Sequence, residues 1–192
     1  MGRKIDIIGP VKNNKPVSVP LPEIPNFTMG DEDLVTKFCA ALDNNHAKTV
    51  LLHTLEKVQE TITTLFPKAV NIVSRVACFR GNLNPTAGEK ESLTAIDLAI
   101  LQGKTGIAEN GAIWISDKDT DIRALPFVAE HLVVLISRKD LVNNMYDACT
   151  RIDFSTGYGV FISGPSKTAD IEQSLVIGAH GPRSHAVIIV DE

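Results

Sequence analysis

The sequence predicts an α/β fold in which a layered, mostly parallel β-sheet is flanked by helices. Strand-like apolar runs alternate along the chain with segments of helical periodicity, which is typical of βαβ units. The runs are short and continuously apolar, as expected for strands that are buried on both faces of a parallel sheet. At 192 residues, with 44% hydrophobic and 22% charged residues, the chain is large and apolar enough to form one domain with its own core.

The first 29 residues are predicted to be an extended arm, and residues 30–192 a single α/β domain. The arm contains several prolines, which are expected to exclude a helix and most central strand positions: Pro10, Pro16, Pro20, Pro22 and Pro25. Two interpretations stay open. The arm is either a partly ordered tail or a segment whose apolar residues, such as Val17 and Val19, lie on the body or on a neighbouring subunit of a homo-oligomer.

The elements after the arm begin with a helix over 31–42, where Leu34, Val35 and Phe38 recur at helical spacing behind acidic residues. The elements that follow are a strand over 48–52, a helix over 56–65, a strand over 69–73, a loop over 79–88, a helix or strand over 92–101, a strand over 112–116, a turn over 122–127 and a strand over 132–137. A helix over 139–152 is expected to set Cys149 beside its buried face, which predicts a packing role for this thiol.

The C-terminal segment, residues 157–192, is predicted to be a βαβ unit with two glycine-containing loops. Its strands are expected at 160–162 and 187–190, with a short helix between the loops. Because ligands of parallel sheets bind beyond the carboxyl ends of the strands, binding residues are expected in the loop from Ser163 to Thr168.

The charge and cysteine patterns argue against several classes of partner and cofactor. A formal net charge of -4, with scattered lysines and arginines, does not favour a nucleic-acid partner. Cys39, Cys78 and Cys149 lie far apart without a CxxC pair, so one chain cannot build a zinc site, an iron-sulfur cluster or a secreted disulfide framework from them. No run approaches the roughly 18 apolar residues of a membrane span, and no signal-peptide pattern is present. We therefore expect a soluble, cytoplasmic protein.

The run GPSKT over residues 164–168 does not have the spacing of a Walker A loop, which needs four residues between its first glycine and the Gly-Lys pair. Two interpretations remain. Gly164 and Lys167 could form an anion cradle at a helix N-terminus, or Asp170 and Glu172 could already occupy that end of a well-capped helix.

The run AHGPRSH contains two histidines that could suggest a metal site. Gly181 and Pro182 separate His180 from His185, so the two do not share a helical face as the ligands of an HExxH motif do. No metal is predicted, and His180 and Arg183 are expected to have a structural or substrate-contacting role.

Glu109 lies in an Asn-Gly turn directly before a strand. It is either an ordinary turn residue or, if its surroundings are apolar enough to tune its pKa, a nucleophile or general base.

The segments GIAENGAIWI, HLVVLIS and VFISGPSKTADIEQSLVIGAHGPRSHAVIIV together resemble the LUD-domain family, of the lactate-utilisation protein C type. The resemblance spans roughly residues 50–191. It implies a fold like that of CoA transferases and ribose-phosphate isomerases, and cytoplasmic work beside iron-sulfur subunits that oxidise L-lactate to pyruvate.

The family signature falls on three blocks of this sequence: Glu109 and Gly111; Gly164, Pro165, Ser166, Thr168, Asp170 and Glu172; and His180, Gly181, Pro182 and Arg183. The chain departs from the family at Asn110, where threonine is usual. The resulting Glu-Asn-Gly is similar to the motif of class I CoA transferases, whose glutamate forms an acyl-enzyme.

The resemblance thus implies a lactate-utilisation component whose iron-sulfur clusters lie on partner subunits, with no cofactor in this chain. Residues expected to bind a small carboxylate substrate are Gly164, Ser166, Lys167, Thr168, Asp170, His180 and Arg183. A second hypothesis is an acyl-handling enzyme of the CoA-transferase kind, with Glu109 as the catalytic nucleophile. A third is a small-molecule binding protein without catalysis, since one fold hosts many functions.

Overall fold

The structure is a computed structural model, which describes residues 2–20, 22, 25, 33–86, 93–169 and 175–191. The helices are α1 (Gly2–Asn13), α2 (Leu34–Asn44), α3 (Val58–Leu65), α4 (Asp117–Thr120), α5 (Leu125–Val128) and α6 (Met145–Arg151). The strands are β1 (Lys48–Leu52), β2 (Ile72–Ser74), β3 (Leu98–Gln102), β4 (Thr105–Ile107), β5 (Ile113–Ser116), β6 (His131–Ser137), β7 (Leu141–Val142), β8 (Gly159–Ile162), β9 (Lys167–Ala169), β10 (Leu175–Ile177) and β11 (Ser184–Val190). Short 3-10 helices lie at Leu55–Lys57, Arg138–Asp140 and Phe154–Thr156.

The central sheet has five parallel strands in the order β1, β11, β6, β3 and β2. Its three middle strands consist mainly of buried apolar side chains, as expected for strands that are covered on both faces. One face packs with Phe38 and Leu42 of α2, and the other with Val58 and Ile62 of α3. The predicted layered α/β fold with a mostly parallel sheet is therefore confirmed.

A second sheet has four strands in the order β7, β4, β5 and β8, and it shares a core with α2 and the central sheet. Ile113 and Ile115 of β5 face this shared core, whereas Trp114 packs on the other side with residues of α6. Gly106 allows the close approach of the layers, because a Cβ there would lie 2.6 Å from Leu141 Cδ2 and 3.0 Å from Phe38 Cζ. The second sheet carries the turn that contains Glu109.

Several predicted elements are confirmed with small shifts of their bounds. The strand over 48–52 is β1, and the strands over 112–116 and 132–137 are β5 and β6. The helix over 31–42 is α2, where Asp33 is the N-cap and accepts a hydrogen bond from the Thr36 backbone N–H. The helix over 56–65 is a 3-10 turn followed by α3.

The strand over 69–73 is β2, and the segment over 92–101, which was open between helix and strand, contains β3. The loop over 79–88 has no helix or strand up to residue 86, and its last two residues lie outside the described part. The predicted turn over 122–127 runs into the short helix α5.

The predicted C-terminal βαβ unit is wrong. β8 pairs antiparallel with β5 in the second sheet, whereas β11 lies in the central sheet, so the two strands are not neighbours. Between them, β9 and β10 pair antiparallel as a hairpin. The β-branched residues Thr168, Val176 and Ile177 suit this pairing better than a helix. Residues 170–174, which were expected in the first helical turns, lie outside the described part.

The predicted helix over 139–152 is also wrong in its first half, because Leu141 and Val142 form β7 beside β4. Asn144 then starts α6 as its N-cap, with its side chain accepting a hydrogen bond from the Asp147 backbone N–H at 2.9 Å. The later start turns Ala148 and Ile152 to the core and leaves Cys149 exposed. The predicted packing role of Cys149 is therefore corrected.

The prediction that prolines exclude a helix from the arm is wrong for its first part, which is α1. Pro10 lies inside this helix, where it removes one amide donor, but its carbonyl still accepts a hydrogen bond from the Asn14 N–H at 3.0 Å. Residues 15–20 form neither helix nor strand, and Val17 and Val19 are exposed rather than packed on the body. Contact of the arm with a neighbouring subunit stays a prediction. Within the described part of the chain, no helix combines the length and apolar character needed to cross a membrane.

Candidate functional site

The turn that holds Glu109 follows β4 and is joined to the loop that follows β8. Gly111 adopts a positive φ of 70°, and the side chain of Asn110 accepts a hydrogen bond from the Ala112 N–H at 2.9 Å, which closes the turn. The Asn110 carbonyl accepts hydrogen bonds from Asn45 Nδ2 at 2.9 Å and from Ser163 Oγ at 3.0 Å. The first two motifs of the sequence therefore touch, with Asn45 between them.

Gly164 fits its position because the chain passes directly over the end of α2. Its φ is +77°, and a Cβ at this position would lie 2.2 Å from the carbonyl oxygen of Asn45. Asn45 also donates from Nδ2 to Ser163 Oγ at 2.9 Å. This glycine is thus required by the close packing of two backbones and by its left-handed conformation.

The loop from Gly178 to Arg183 is joined to the same segment through Ser166. The Ser166 N–H donates to the Pro182 carbonyl at 2.9 Å, and the Gly178 N–H donates to the Ser166 carbonyl at 2.9 Å. A Cβ on Gly181 would lie 3.0 Å from Ser166 Cβ. All three motifs found in the sequence therefore form one continuous surface of joined loops.

The charged side chains of these motifs do not all meet. Glu109 is exposed, and its Oε2 accepts a hydrogen bond from the Met145 N–H at the start of α6 at 3.2 Å. Arg183 forms an exposed ion pair with Glu130 at 3.1 Å. The side chains of Lys167 and His180 are exposed and make no hydrogen bond or ion pair within the described residues. The structure thus joins the motif backbones but directs Glu109 and Arg183 to separate partners.

The anion cradle at a helix N-terminus is corrected, because Lys167, Thr168 and Ala169 form a strand of the hairpin. His180 follows β10 and not a helix. Thr168 is half-buried, and Asp170 lies outside the described residues. Among the residues that are described, no group of three or more His, Cys, Asp or Glu side chains is arranged to hold a metal ion.

His185 has a structural position that the sequence pattern did not single out. Its side chain is fully buried, and neither ring nitrogen has a hydrogen-bond partner among the described residues. Burial lowers its pKa from 6.5 to about 4, because the charged imidazolium would lose its hydration. The alternation of β11, in which Val187 and Ile189 share its face, was the signal that could have identified it.

The carboxyl edge of the central sheet carries a chain of charged groups that sequence reasoning also missed. Asp191, directly after β11, contacts His53 Nδ1 at 2.7 Å and Arg138 at 3.5 Å, and Arg138 pairs with Asp33 at 3.1 Å. The hydrogen bond from His53, followed by its charge and by Arg138, lowers the pKa of Asp191. His53, Arg138 and Asp191 each come just after the end of a strand. This position after predicted strands is the feature of the sequence that could have identified them.

A family model described as the LUD domain matches residues 86–190, a range that contains all three joined motifs. Lactate utilization protein C of Shouchella clausii is 33% identical over 108 residues, which cover 53% of this chain and 47% of that protein. Lactate utilization protein C of Bacillus pumilus is 34% identical over 93 residues, covering 45% and 39% respectively. An uncharacterized protein of Neisseria meningitidis serogroup B is 30% identical over 129 residues, covering 62% and 55%.

The alignments with these curated relatives span about half of the relatives' own length. Among solved structures, a crystal structure of a DUF162 family protein from Deinococcus radiodurans superposes with a TM-score of 0.58. The superposition covers 82% of this chain and 96% of that one, at 17% sequence identity. At this level of identity the similarity shows the fold alone.

Proposed function

Because the chain belongs to the LUD domain family, we propose that it takes part in lactate utilisation as a component that binds a small organic acid. The observation that carries the proposal is the family match over residues 86–190, which contains the joined loops around Asn110, Ser163 and Ser166. Relatives named lactate utilization protein C support the same assignment. The acid would be L-lactate or its oxidation product.

The surface proposed to bind the acid lies around Ser166, which is hydrogen-bonded to Pro182 and Gly178, and around the hairpin of β9 and β10. Lys167 and His180 offer donors that no described residue occupies. The pair of Arg183 with Glu130 is exposed, and exposed pairs contribute little, so Arg183 can also turn to a carboxylate. Gly164, Ser166 and Thr168 would shape the surface, and Asp170, which lies outside the described residues, stays a candidate from the sequence.

The oxidation of lactate to pyruvate releases two electrons, which we assign to iron-sulfur clusters on partner subunits. Such clusters are held by several cysteine thiolates. In this chain Cys39 and Cys78 are partly buried, and burial raises the pKa of both thiols. The role proposed for the chain is therefore to bind the acid and the partner subunits in the cytoplasm.

Purification of the tagged chain from cells grown on L-lactate tests this proposal. We expect iron-sulfur subunits to copurify, and the complex to reduce a dye in a lactate-dependent manner. The chain alone should give no reduction. A double variant, Lys167→Gln with His180→Gln, should raise the lactate concentration needed for half-maximal reduction, whereas Lys57→Gln, on the far side of the central sheet, should not.

Turnover of lactate by the pure single chain would contradict the proposal that this chain binds the acid while the partner subunits accept the electrons. A complex whose lactate dependence is unchanged in the double variant would contradict the proposed binding surface but not the function.

A second candidate function is acyl transfer through Glu109. It is favoured by the exposure of this carboxylate after β4 and by its single described contact, the Met145 N–H, which leaves one oxygen free to attack. The similarity of the motif to that of CoA transferases remains an expectation from sequence.

Incubation with acetyl-CoA followed by intact-mass measurement tests the acyl-transfer function. An acyl or CoA adduct that is lost in Glu109→Gln would establish it. Without an adduct, the role of the Glu109 side chain is to accept the hydrogen bond from the Met145 N–H at the start of α6. Glu109→Gln should then leave the stability almost unchanged, because the glutamine amide oxygen can accept the same hydrogen bond.

A further inference from the structure

A cleft lies at the amino-terminal edge of the central sheet, between the starts of β6 and β11 and the segment that follows α3. Its volume is about 630 Å³, within the range of small-molecule sites. Leu65, Phe66 and Pro67 contribute apolar lining, and His131 and Ser184 also line the cleft. The proposed function uses none of these five residues.

Ser184 and His131 form a hydroxyl-imidazole pair. They are direct register neighbours on adjacent parallel strands, so their side chains lie on the same face of the sheet. The distance between Ser184 Oγ and His131 Nδ1 is 2.8 Å, and both residues are half-buried. This is the separation required for a histidine that takes the proton of a nucleophilic serine.

Two residues of the cleft bear on the His131 imidazole, the aromatic Phe66 and the acidic Asp97. The ring of Phe66 packs against it with centroids 5.2 Å apart. The Asp97 carboxylate lines the same cleft and accepts hydrogen bonds from the N–H groups of Asn71 and Val70 at 2.8 Å each, which lower its pKa. Asp97 is therefore ionised at neutral pH, and its charge would stabilise an imidazolium formed beside it.

The charges around the cleft balance. Asp97 and Glu130 are acidic, Lys68 also lines the cleft, and Glu130 is paired with Arg183 at 3.1 Å. A neutral cleft with apolar lining favours an uncharged ligand that has an apolar body.

We propose that Ser184 is a nucleophile activated by His131, and that the cleft accepts a carboxylic ester or thioester with a short aliphatic acyl chain. Ser184 Oγ would attack the acyl carbonyl while its proton passes to His131 Nδ1. The bond to the leaving group then breaks, and the leaving group takes that proton and departs as an alcohol or thiol. Water next attacks the acyl-serine with His131 as base, which releases the carboxylic acid and restores Ser184. This site is separate from Glu109, and its two reacting residues are not among those proposed to bind the organic acid.

Labelling of the full chain with a fluorophosphonate, followed by peptide mass spectrometry, tests the proposal. We expect modification of Ser184 and no label in Ser184→Ala. His131→Gln should slow labelling about 100-fold or more, which is the usual contribution of a general base. The rate of 4-nitrophenyl butyrate hydrolysis should be highest in the wild type, lower in His131→Gln and lowest in Ser184→Ala.

Two control variants separate activation from general effects on the fold. Ser155→Ala removes a hydroxyl on an exposed turn, and His46→Asn replaces an exposed histidine at a positive φ that asparagine tolerates. Both should label at the wild-type rate, and circular dichroism should show that all variants are folded. If Ser184 is not labelled, or is labelled equally fast in folded His131→Gln, the pair is only a hydrogen bond between strands and the proposal is wrong.

Discussion

His185 is a buried titratable group with no hydrogen-bond partner in the described part of the chain, and it makes the stability of the protein depend on pH. Its pKa is about 4 in the folded state and near the ordinary 6.5 once the chain unfolds. Between these pH values only the unfolded state binds the proton. The free energy of unfolding should therefore fall as the pH is lowered through 6.5, and this contribution should level off near pH 4.

For His185 the loss should total about 3 kcal/mol, since each pH unit of difference corresponds to about 1.4 kcal/mol. His185→Phe should remove this component, while His46→Asn should retain it. Urea unfolding at pH 7, 5.5 and 4.5 measures the effect. An equal dependence on pH in wild type and His185→Phe would show that the imidazole gains solvent or a partner in solution.

Gly164 is held in a conformation and a space that no other residue fits. We expect Gly164→Ala to lower the free energy of unfolding by about 1–3 kcal/mol, since it combines a positive φ with a clash against the Asn45 carbonyl. Gly9→Ala is the matched control, because no described atom outside the backbone of its own helix lies within 4 Å of the new Cβ. Chemical denaturation of both variants gives the comparison, and equal stabilities would contradict the packing at Gly164.

At the scale of residues, the sequence could identify motifs but not their partners. Gly164 was selected as a binding candidate from its motif, whereas its contact with Asn45 depends on chain folding over more than a hundred positions. Arg183 was likewise selected, but its ion pair with Glu130 follows from the pairing of β6 and β11. The composition of the chain and the spacing of its motifs do not predict contacts between residues that are so far apart in sequence.

Among the elements, α6 depends most clearly on one side chain at its start. Asn144 accepts from the Asp147 N–H, and this bond separates β7 from the helix. Asn144→Ala should cost about 1 kcal/mol of stability, the usual effect of losing an N-cap. Thermal unfolding measures it, with Asn14→Ala beyond α1 as the control. An unchanged melting temperature in Asn144→Ala would show that the cap does not stabilise the helix.

The long buried strands could be predicted from the sequence, whereas the short strands β7, β9 and β10 could not. Strands of the central sheet, such as β6, are buried on both faces, so a continuous apolar run in the sequence predicts them. The hairpin of β9 and β10 and the short strand β7 have only two or three residues each, so periodicity cannot separate strand from helix there. The βαβ prediction failed because pairing of β8 with β5 is a choice between distant strands.

At the scale of the whole molecule, two sheets meet around α2 and bring three distant motifs onto one surface. Asn45, at the end of α2, contacts both Asn110 and Ser163, so the junction of the layers is also the junction of the motifs. The family match contains both motif residues of this junction. This arrangement supports the proposal that the joined loops form the functional surface of a lactate-utilisation component.

Deletion of the gene, followed by growth with L-lactate as the sole carbon source, tests the central claim most directly. We expect the deletion strain to lose growth on L-lactate and to grow normally on glucose, and expression of the wild-type chain from a plasmid to restore growth. Unimpaired growth of the deletion strain on L-lactate, with no second copy of the gene present, would contradict the proposed role.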